Sequence, residues 1–199
     1  GHTRAVVSTL LSTKISKKKL NIIDLNYKNK KEYILGVPVI GSLNKLEKFS
    51  IQSSSIFLSV GENNLRKLLM KKPLIKKFKM INVIHPNAFI SSSSIIGQCN
   101  FIGPFAHIGP EVKLGSCNIV NSYANLEHET IVGDFNQFGP GSAVCGRCNI
   151  GHNVYIGANA TVINGLRIND NNTIGAGSVI ISNILVKKKT FVGVPGKVL

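Results

Sequence analysis

Apolar residues recur along the second part of the chain at a constant interval of six positions. The series runs from Ile84 to Ile180, and all seventeen members are apolar although only 43% of the chain is. A strand alternates with a period of two and an amphipathic helix with a period of about 3.6, so neither element explains the series. The interval predicts a repeat protein. Its members, called anchors below, are Ile84, Ile90, Ile96, Ile102, Ile108, Leu114, Val120, Leu126, Val132, Phe138, Val144, Ile150, Ile156, Val162, Ile168, Ile174 and Ile180.

Two further positions of the six-residue unit follow the same interval. The residue after the anchor is glycine at nine of the fourteen sites from 97 to 175, which permits a positive φ or a close backbone approach. Three units would make a triangular coil, and coils stacked about 4.8 Å apart would bury the anchors. Residues 81–199 are therefore predicted to form a parallel β-helix. The residue two before the anchor is often small, as at Ser94, Ala106, Ala124, Ser142, Ala160 and Ser178.

Residues 1–80 lack this period and alternate helix and strand signals. Helices are expected from His2 to about Ser12 and from Glu62 to about Met70, and buried strands at Leu20–Leu25 and Ser55–Val60. Pro38 and Gly41 are expected to mark a loop between the two halves. This order favours a small α/β, Rossmann-like, nucleotide-binding domain. The first residues read as a turn entering a helix, so a first strand is expected to be missing before Gly1.

Charge divides the chain in the same place. Residues 1–80 hold 17 Lys or Arg against 4 Asp or Glu, whereas residues 81–199 hold 7 against 5. The lysines form runs without interleaved aromatics, which favours a solvated surface, or attraction of small anions such as a nucleotide diphosphate or CoA, over nucleic acid. No apolar run approaches the roughly 20 residues that cross a bilayer, and no signal peptide is evident. A soluble cytoplasmic protein without a membrane partner is predicted.

The cysteines do not suggest a metal site. Only Cys145 and Cys148 form a C-x-x-C pair, and no second pair completes a four-ligand zinc site. Ordinary packing of small residues is expected for all four, including Cys99 and Cys117.

The repeat departs from its glycine corner at Asn121 and again at Glu127, and departures from a regular pattern often mark function. The second break carries His128 followed by Glu129. A histidine can take a proton near neutral pH, and an adjacent carboxylate can hold its other ring nitrogen. Gly146 lies one predicted coil beyond His128, where its backbone N–H would face a developing oxyanion.

Several motifs resemble the sialic acid O-acetyltransferase (NeuD) and UDP-4-amino-sugar N-acetyltransferase (PglD) family. They are N-S-Y-A-N-L-E-H-E-T-I-V-G-D-F, G-A-N-A-T-V-I-N-G and F-V-G-V-P-G-K in the repeat, and G-H-T-R-A-V, I-I-D-L, G-V-P-V-I-G and V-G-E-N-N-L-R-K before it. The resemblance implies a left-handed β-helix, a homotrimer, and acetyl-CoA in the groove between neighbouring helices. It also implies that the N-terminal domain binds the nucleotide-sugar or sialic acid.

The resemblance also assigns roles to single residues. His128 matches the general base, Glu129 the acid that raises its basicity, Asn121 a polar residue near the reacting centre, and Gly146 the donor to the tetrahedral intermediate and part of the acetyl-CoA site. For acetyl-CoA it further points to Ala158, Ala176 and Gln137, the last standing where relatives often carry a second histidine. For the sugar nucleotide it points to Gly1, His2, Asp24 and Gly61, and Asp24 lacks the second acid found in some relatives because Leu25 follows it.

The expected reaction is direct transfer of an acetyl group to a UDP-amino-sugar, without a metal or a covalent enzyme intermediate. Three alternatives remain open at this point. One is O-acetylation of sialic acid, and another is a sugar-nucleotide binder that has lost the chemistry. The third is a metal hydratase like the γ-type carbonic anhydrases, for which the candidate ligands are His107, His128 and His152.

Overall fold

The computed structural model describes residues 1–199, and its first part combines short helices with short strands. Only two of these helices, α1 and α2, extend beyond two turns. The elements are α1 (His2–Ser12), β1 (Ile22–Ile23), β2 (Glu32–Ile34), β3 (Val37–Gly41), β4 (Ser55–Ile56), α2 (Asn63–Met70), α3 (Pro73–Lys76) and β5 (Lys79–Met80), with 3₁₀ helices at Lys17–Lys19 and Leu43–Lys48. No helix is long and apolar enough to span a membrane.

Helix α1 packs between the strands of this first part and the repeat. Its two adjacent valines face opposite neighbours: Val6 packs against a cluster from the repeat that includes Phe101, whereas Val7 packs against β1 and β3. Both valines are buried. The helix predicted from His2 to about Ser12 is confirmed in place, and its apolar positions connect the two parts of the molecule.

The sequence expectations for the other elements hold only in part. The helix expected from Glu62 begins at Asn63, and the two predicted strands shrink to two residues each. The expected loop at Pro38 and Gly41 is wrong, because both residues belong to β3. Val37 and Val39 are buried on one side of this strand, so the burial of alternate residues outweighed the turn preference of proline and glycine.

The strands of the first part form two sheets that are not hydrogen-bonded to each other. One has the order β1-β3-β2, with β1 parallel and β2 antiparallel to β3, and the other pairs β4 with β5 in parallel. The chain therefore has an N-terminal α/β domain ahead of the repeat.

From Val83 to Ile180 the chain winds through short parallel strands that stack at an interval of eighteen residues, as in the pairing of His107 with Asn125. Three sheets result, and they fit the predicted left-handed parallel β-helix. Face A contains β6 (Val83–Ile84), β9 (Phe101–Ile102), β12 (Ile119–Val120), β15 (Gln137–Phe138), β18 (Tyr155–Ile156), β21 (Thr173–Ile174), β23 (Thr190–Val192) and β24 (Lys197–Val198). Face B contains β7 (Phe89–Ile90), β10 (His107–Ile108), β13 (Asn125–Leu126), β16 (Ala143–Val144), β19 (Thr161–Val162) and β22 (Val179–Ile180). Face C contains β8 (Ile95–Ile96), β11 (Lys113–Leu114), β14 (Ile131–Val132), β17 (Asn149–Ile150) and β20 (Arg167–Ile168).

The anchors fill the interior as predicted. From Ile102 to Ile180 every anchor is at most 3% exposed, and these residues belong to one cluster. A second column inside the helix is polar: the side-chain oxygens of Asn100, Asn118 and Asn136 each accept the backbone N–H one coil later, at 2.7–2.8 Å. The column satisfies backbone donors that would otherwise be buried without partners.

The glycines after the anchors serve close approach and not a positive φ. A Cβ on Gly115 would lie 2.6 Å from the carbonyl oxygen of Gly133, and the backbone of the next coil could not yield. The positive φ occurs two residues further on and is adopted mostly by other residues, such as Glu129 (59°) and Arg147 (60°). This third position after the anchor forms the corner of each turn.

Candidate active site

His128 and Glu129 lie in the turn between β13 and β14, at the corner between faces B and C, here called the B–C corner. The backbone of this turn is tied to both neighbouring coils. Glu129 N–H donates to the carbonyl of Pro110 at 2.9 Å, and the His128 carbonyl accepts from Arg147 N–H at 2.9 Å. The two side chains are 49% and 42% exposed, so a substrate can reach them.

The imidazole of His128 is held at one nitrogen and open at the other. Its Nδ1 lies 3.0 Å from Oε2 of Glu129. An ionised carboxylate can only accept, so Nδ1 carries the proton and Nε2 presents a lone pair. The structure brings these two predicted residues together with the tautomer that general base catalysis requires.

The outer edge of the same ring lies over Gly146. A Cβ built on Gly146 would overlap Cε1 and Nε2 of His128, so a glycine is needed here for the ring to take this position. The Gly146 N–H donates no hydrogen bond within the chain, although the Gly146 carbonyl accepts from Gly165 N–H at 2.9 Å. The stacking of position 146 on position 128 agrees with the sequence expectation.

Arg147 joins this cluster and was missed by the sequence reasoning. Its Nε donates to the same Glu129 oxygen that contacts His128, at 2.9 Å. The hydrogen bonds from His128 and then from Arg147 lower the pKa of Glu129, so the carboxylate stays ionised at neutral pH. The eighteen-residue interval between Glu129 and Arg147 was the signal that would have found it.

Four other predicted residues lie away from this corner. Asn121 is in the turn between faces A and B, the A–B corner, where its Oδ1 accepts from Ser122 N–H at 2.9 Å. Ala158 and Ala176 occupy successive coils of that corner. A Cβ built on Gly139 would lie 2.6 Å from the backbone N of Ala158, and one built on Gly157 would lie 2.5 Å from that of Ala176. Gln137 lies on β15 of face A, half-buried. Within one chain, the strands of face B separate these residues from His128.

The residues predicted to bind the sugar nucleotide are also only partly grouped. Gly1 caps helix α1, and a Cβ on Gly61 would lie 3.5 Å from Cβ of His2, so these three are neighbours. Asp24 lies apart from them, directly after β1 of the three-stranded sheet. Its Oδ1 accepts from Asn26 N–H at 2.8 Å, and its side chain is exposed.

His2 is enclosed between the two parts of the molecule. Its ring meets Phe101 edge to face at 4.9 Å, and its Nε2 is buried without a hydrogen-bond partner. Burial, followed by the nearby charge of Arg66, lowers the pKa of His2 to about 4. His2 is therefore neutral at physiological pH.

Arg66, on α2, is a second residue that the sequence did not single out. It is 1% exposed and donates to six oxygens. Three belong to the N-terminal domain, and three belong to the β-helix. They are the carbonyls of Val60 and Gly61, Oδ1 of Asn63, and the carbonyls of Cys117, Phe135 and Asn136, at 2.7–3.3 Å. Arg66 thus fixes the turn at Gly61 relative to the repeat, and its burial lowers its own pKa to about 10.

The remaining titratable residues do not form a metal centre. No group of three or more His, Cys, Asp or Glu side chains converges at ligand distance. His107 stacks on Phe89, and His152 Nδ1 accepts from Asp134 N–H at 2.9 Å, so neither turns toward His128. All four cysteines are free thiols, three of them buried.

A shallow groove of about 320 Å³ adjoins Glu129 on face C. Its walls combine charged corner residues with two exposed isoleucines. They are Ser93, Ile95, Glu111, Lys113, Glu129 and Ile131.

Comparison with known families divides the chain as the fold does. Residues 1–72 match the family model described as the PglD N-terminal domain, and residues 147–182 match the bacterial transferase hexapeptide repeat. No curated protein matches the sequence.

Solved structures match over the whole length. PerB from Caulobacter crescentus, in complex with CoA and GDP-perosamine, is 29% identical with a TM-score of 0.91, and the alignment covers 100% of this chain and 93% of that one. The acetyltransferase domain of PglB from Neisseria gonorrhoeae, in complex with acetyl coenzyme A, is 29% identical with a TM-score of 0.91, covering 100% and 95%. WeeI from Acinetobacter baumannii, at 22% identity and a TM-score of 0.80 over 100% and 95%, shares the fold.

Proposed function

We infer that this chain, which belongs to the NeuD/PglD-like family of hexapeptide-repeat sugar acetyltransferases, transfers an acetyl group from acetyl-CoA to the amino group of a nucleotide-sugar. The observation that carries this function is the His128–Glu129 pair, whose free Nε2 edge lies over Gly146. The likeness to PerB, a perosamine N-acetyltransferase holding CoA and GDP-perosamine, favours an amine over a hydroxyl as the acceptor.

His128 is proposed as the general base. Its Nε2 takes the proton from the sugar amine as the amine nitrogen attacks the thioester carbonyl carbon. The C–N bond forms, the C–S bond breaks, and the imidazolium returns the proton to the leaving sulfur, so CoA departs as a thiol. General base catalysis contributes about 10²–10⁴-fold, and no covalent enzyme intermediate is needed.

Glu129 and Gly146 are proposed to support the two charges that develop in this step. Glu129 already holds Nδ1 at 3.0 Å, so it stabilises the imidazolium without rearrangement. The Gly146 N–H has no acceptor in the chain and is proposed to donate to the oxyanion of the tetrahedral intermediate.

The acetyl-CoA site is proposed to be shared between two subunits of a homotrimer. Ala158, Ala176, Asn121 and Gln137 are assigned to the substrates through the family resemblance, yet they lie on face A and the A–B corner, away from His128. A neighbouring β-helix can place its A–B corner opposite this B–C corner. This separation within one chain supports a site in the groove between helices.

The N-terminal domain is proposed to be a Rossmann-like unit of residues 1–80 that binds the nucleotide-sugar, followed by the acyltransferase domain of residues 81–199. The match to the PglD N-terminal domain and the parallel pairs β1–β3 and β4–β5 support this assignment. Gly1, His2 and Gly61 would line the nucleotide site, with Asp24 at the end of β1. A cytoplasmic location is part of the proposal, since acetyl-CoA and nucleotide-sugars are made there.

The function is tested by thiol release from acetyl-CoA with GDP- and UDP-linked 4-amino-sugars and with sialic acid. Release that requires an amino-sugar and is lost in His128→Ala is the expected result. Release with sialic acid alone would replace the proposal by O-acetylation. CoA binding by folded protein without turnover on any acceptor would leave a non-catalytic binder.

The shared site is tested by mixing two inactive variants. His128→Ala removes the base, and Ala176→Trp blocks the A–B corner. Trimers refolded from both chains would contain some grooves in which neither defect is present, so activity should return to part of the wild-type value. If the mixture stays inactive although each variant forms trimers, the site lies within one chain.

A further inference from the structure

We propose that Arg147 is a positioning residue that holds the Glu129 carboxylate against His128, a role that rests on the proposed function. The structure shows one carboxylate oxygen, Glu129 Oε2, receiving both the Arg147 Nε donor and the His128 Nδ1 donor. Arg147 does not touch the reacting atoms in this arrangement, because Glu129 lies between it and the imidazole.

The repeat places this arginine directly above the carboxylate. Glu129 and Arg147 occupy the same corner position in successive coils, with φ values of 59° and 60°. Arg147 N–H donates to the His128 carbonyl at 2.9 Å, so the backbone of Arg147 is held directly beside His128. The next residue of this column is Gly165, around whose Cβ position no atom lies within 4 Å. Nothing from the following coil therefore competes for the guanidinium.

Glu129 is the only carboxylate that Arg147 contacts. The neighbouring acid Glu127 is engaged elsewhere, since its Oε1 accepts from Asn125 Nδ2 at 2.7 Å. In the preceding coil Glu111 and Lys113 stand in the groove beside Glu129 and balance each other in charge. The hydrogen bond from the Asn125 amide leaves the charge of Glu127 in place, and Arg147 is the only cation in contact with the His128–Glu129 pair.

This geometry has two consequences for catalysis. The guanidinium restricts the Glu129 side chain, which is 42% exposed and would otherwise sample several rotamers. It also offsets part of the carboxylate charge that acts on the imidazole. Loss of the arginine should thus reduce turnover and strengthen proton binding at His128 together.

The test compares Arg147→Gln and Arg147→Lys with wild type in pH profiles of kcat and kcat/KM. For Arg147→Gln we expect kcat to fall about three- to tenfold, with KM for both substrates within about twofold, as the loss of one solvent-exposed charge-assisted contact implies. The acid limb of the pH profile should move to higher pH by up to about half a unit, because this is the effect of removing one charge several ångströms away in a water-like medium. Arg147→Lys should restore the limb position but only part of kcat, because it lacks the planar Nε donor.

Two controls separate positioning from general stability. Arg167→Gln removes an exposed arginine of β20 on face C and should leave both the pH profile and kcat unchanged. In a Glu129→Gln background, Arg147→Gln should lower kcat little further, since the carboxylate that the arginine positions is already gone, whereas the acid limb should still move because the arginine charge acts on His128 directly. An unshifted acid limb in Arg147→Gln would overturn the proposal, and so would a change confined to KM, which would make Arg147 a substrate contact.

A measurement without turnover distinguishes this proposal from the proposed function. The titration of His128 can be followed by NMR of histidine-labelled protein, with the resonance assigned by its loss in His128→Ala. An upward shift of the His128 midpoint in Arg147→Gln supports the positioning role even if no acceptor is acetylated. An unchanged midpoint overturns it, whatever the activity of the wild-type enzyme.

Discussion

Replacing Gly146 with alanine should abolish most activity while the protein stays folded. The added methyl group would overlap Cε1 and Nε2 of His128. The φ of Gly146 is not in the positive range, so alanine fits the backbone there, and the clash falls on the far end of a side chain that is 49% exposed. The imidazole can therefore swing outward at a cost below about 1 kcal/mol in the free energy of unfolding.

The displaced ring would leave its contact with Glu129 and its place above the Gly146 N–H. Because general base catalysis contributes about 10²–10⁴-fold, we expect kcat for thiol release to fall at least about 100-fold. The melting temperature should change by no more than a few degrees, since about 1 kcal/mol shifts it by roughly 2–8 °C depending on domain size. Both quantities are measured on the same preparation, with acetyl-CoA and the best amino-sugar at saturation.

Gly115→Ala provides the matched control. Its Cβ would lie 2.6 Å from the Gly133 carbonyl oxygen and 2.5 Å from Asp134 Oδ1, at the corner between faces C and A and away from His128. This variant should lose stability, yet keep the kcat of its folded fraction. If Gly146→Ala retained wild-type turnover, the position of His128 over Gly146 would not be the catalytic one, and the mechanism drawn from it would be refuted.

Three further predictions concern Glu129, His2 and Arg66. Glu129→Gln keeps an acceptor for Nδ1 of His128 but loses the negative charge that stabilises the imidazolium. We expect kcat to fall about tenfold and the acid limb of its pH profile to move to lower pH. An unchanged profile would contradict this. The pKa of His2 is about 4 in the folded protein against 6.5 in the unfolded chain, so between these values the unfolded state binds more protons than the folded state. The free energy of unfolding should therefore fall by about 3 kcal/mol as the pH drops from 6.5 to 4. Urea unfolding at both pH values should show a smaller loss in His2→Leu. In Arg66→Lys, an ammonium group with three donors replaces a guanidinium that contacts six oxygens. The free energy of unfolding measured in urea should therefore fall by about 3–5 kcal/mol. A loss below about 1 kcal/mol would show that water replaces the guanidinium.

The sequence by itself determined the β-helix and much of the arrangement at its B–C corner. A period of six is a local property, and once three units close a coil, residues eighteen apart become neighbours by stacking alone. For this reason the position of Gly146 next to His128 was predictable, and the adjacency of Glu129 required no fold at all. The same interval would have placed Arg147 next to Glu129, but the contact between them depends on side-chain directions that a sequence interval does not specify.

Only the tertiary structure decided how the N-terminal domain meets the repeat. The six acceptors of Arg66 come from three separate segments in two domains, and five of them are backbone carbonyls, which every residue type has. The strand at Pro38 is a second example, because Val37 and Val39 pack against Val7 of α1. The stabilisation from this burial is not part of the local turn preferences of proline and glycine. Contacts along a repeat can be read from its period, because stacking makes residues one coil apart neighbours. Contacts between unlike elements depend on the shapes of both surfaces, which exist only once the chain has folded.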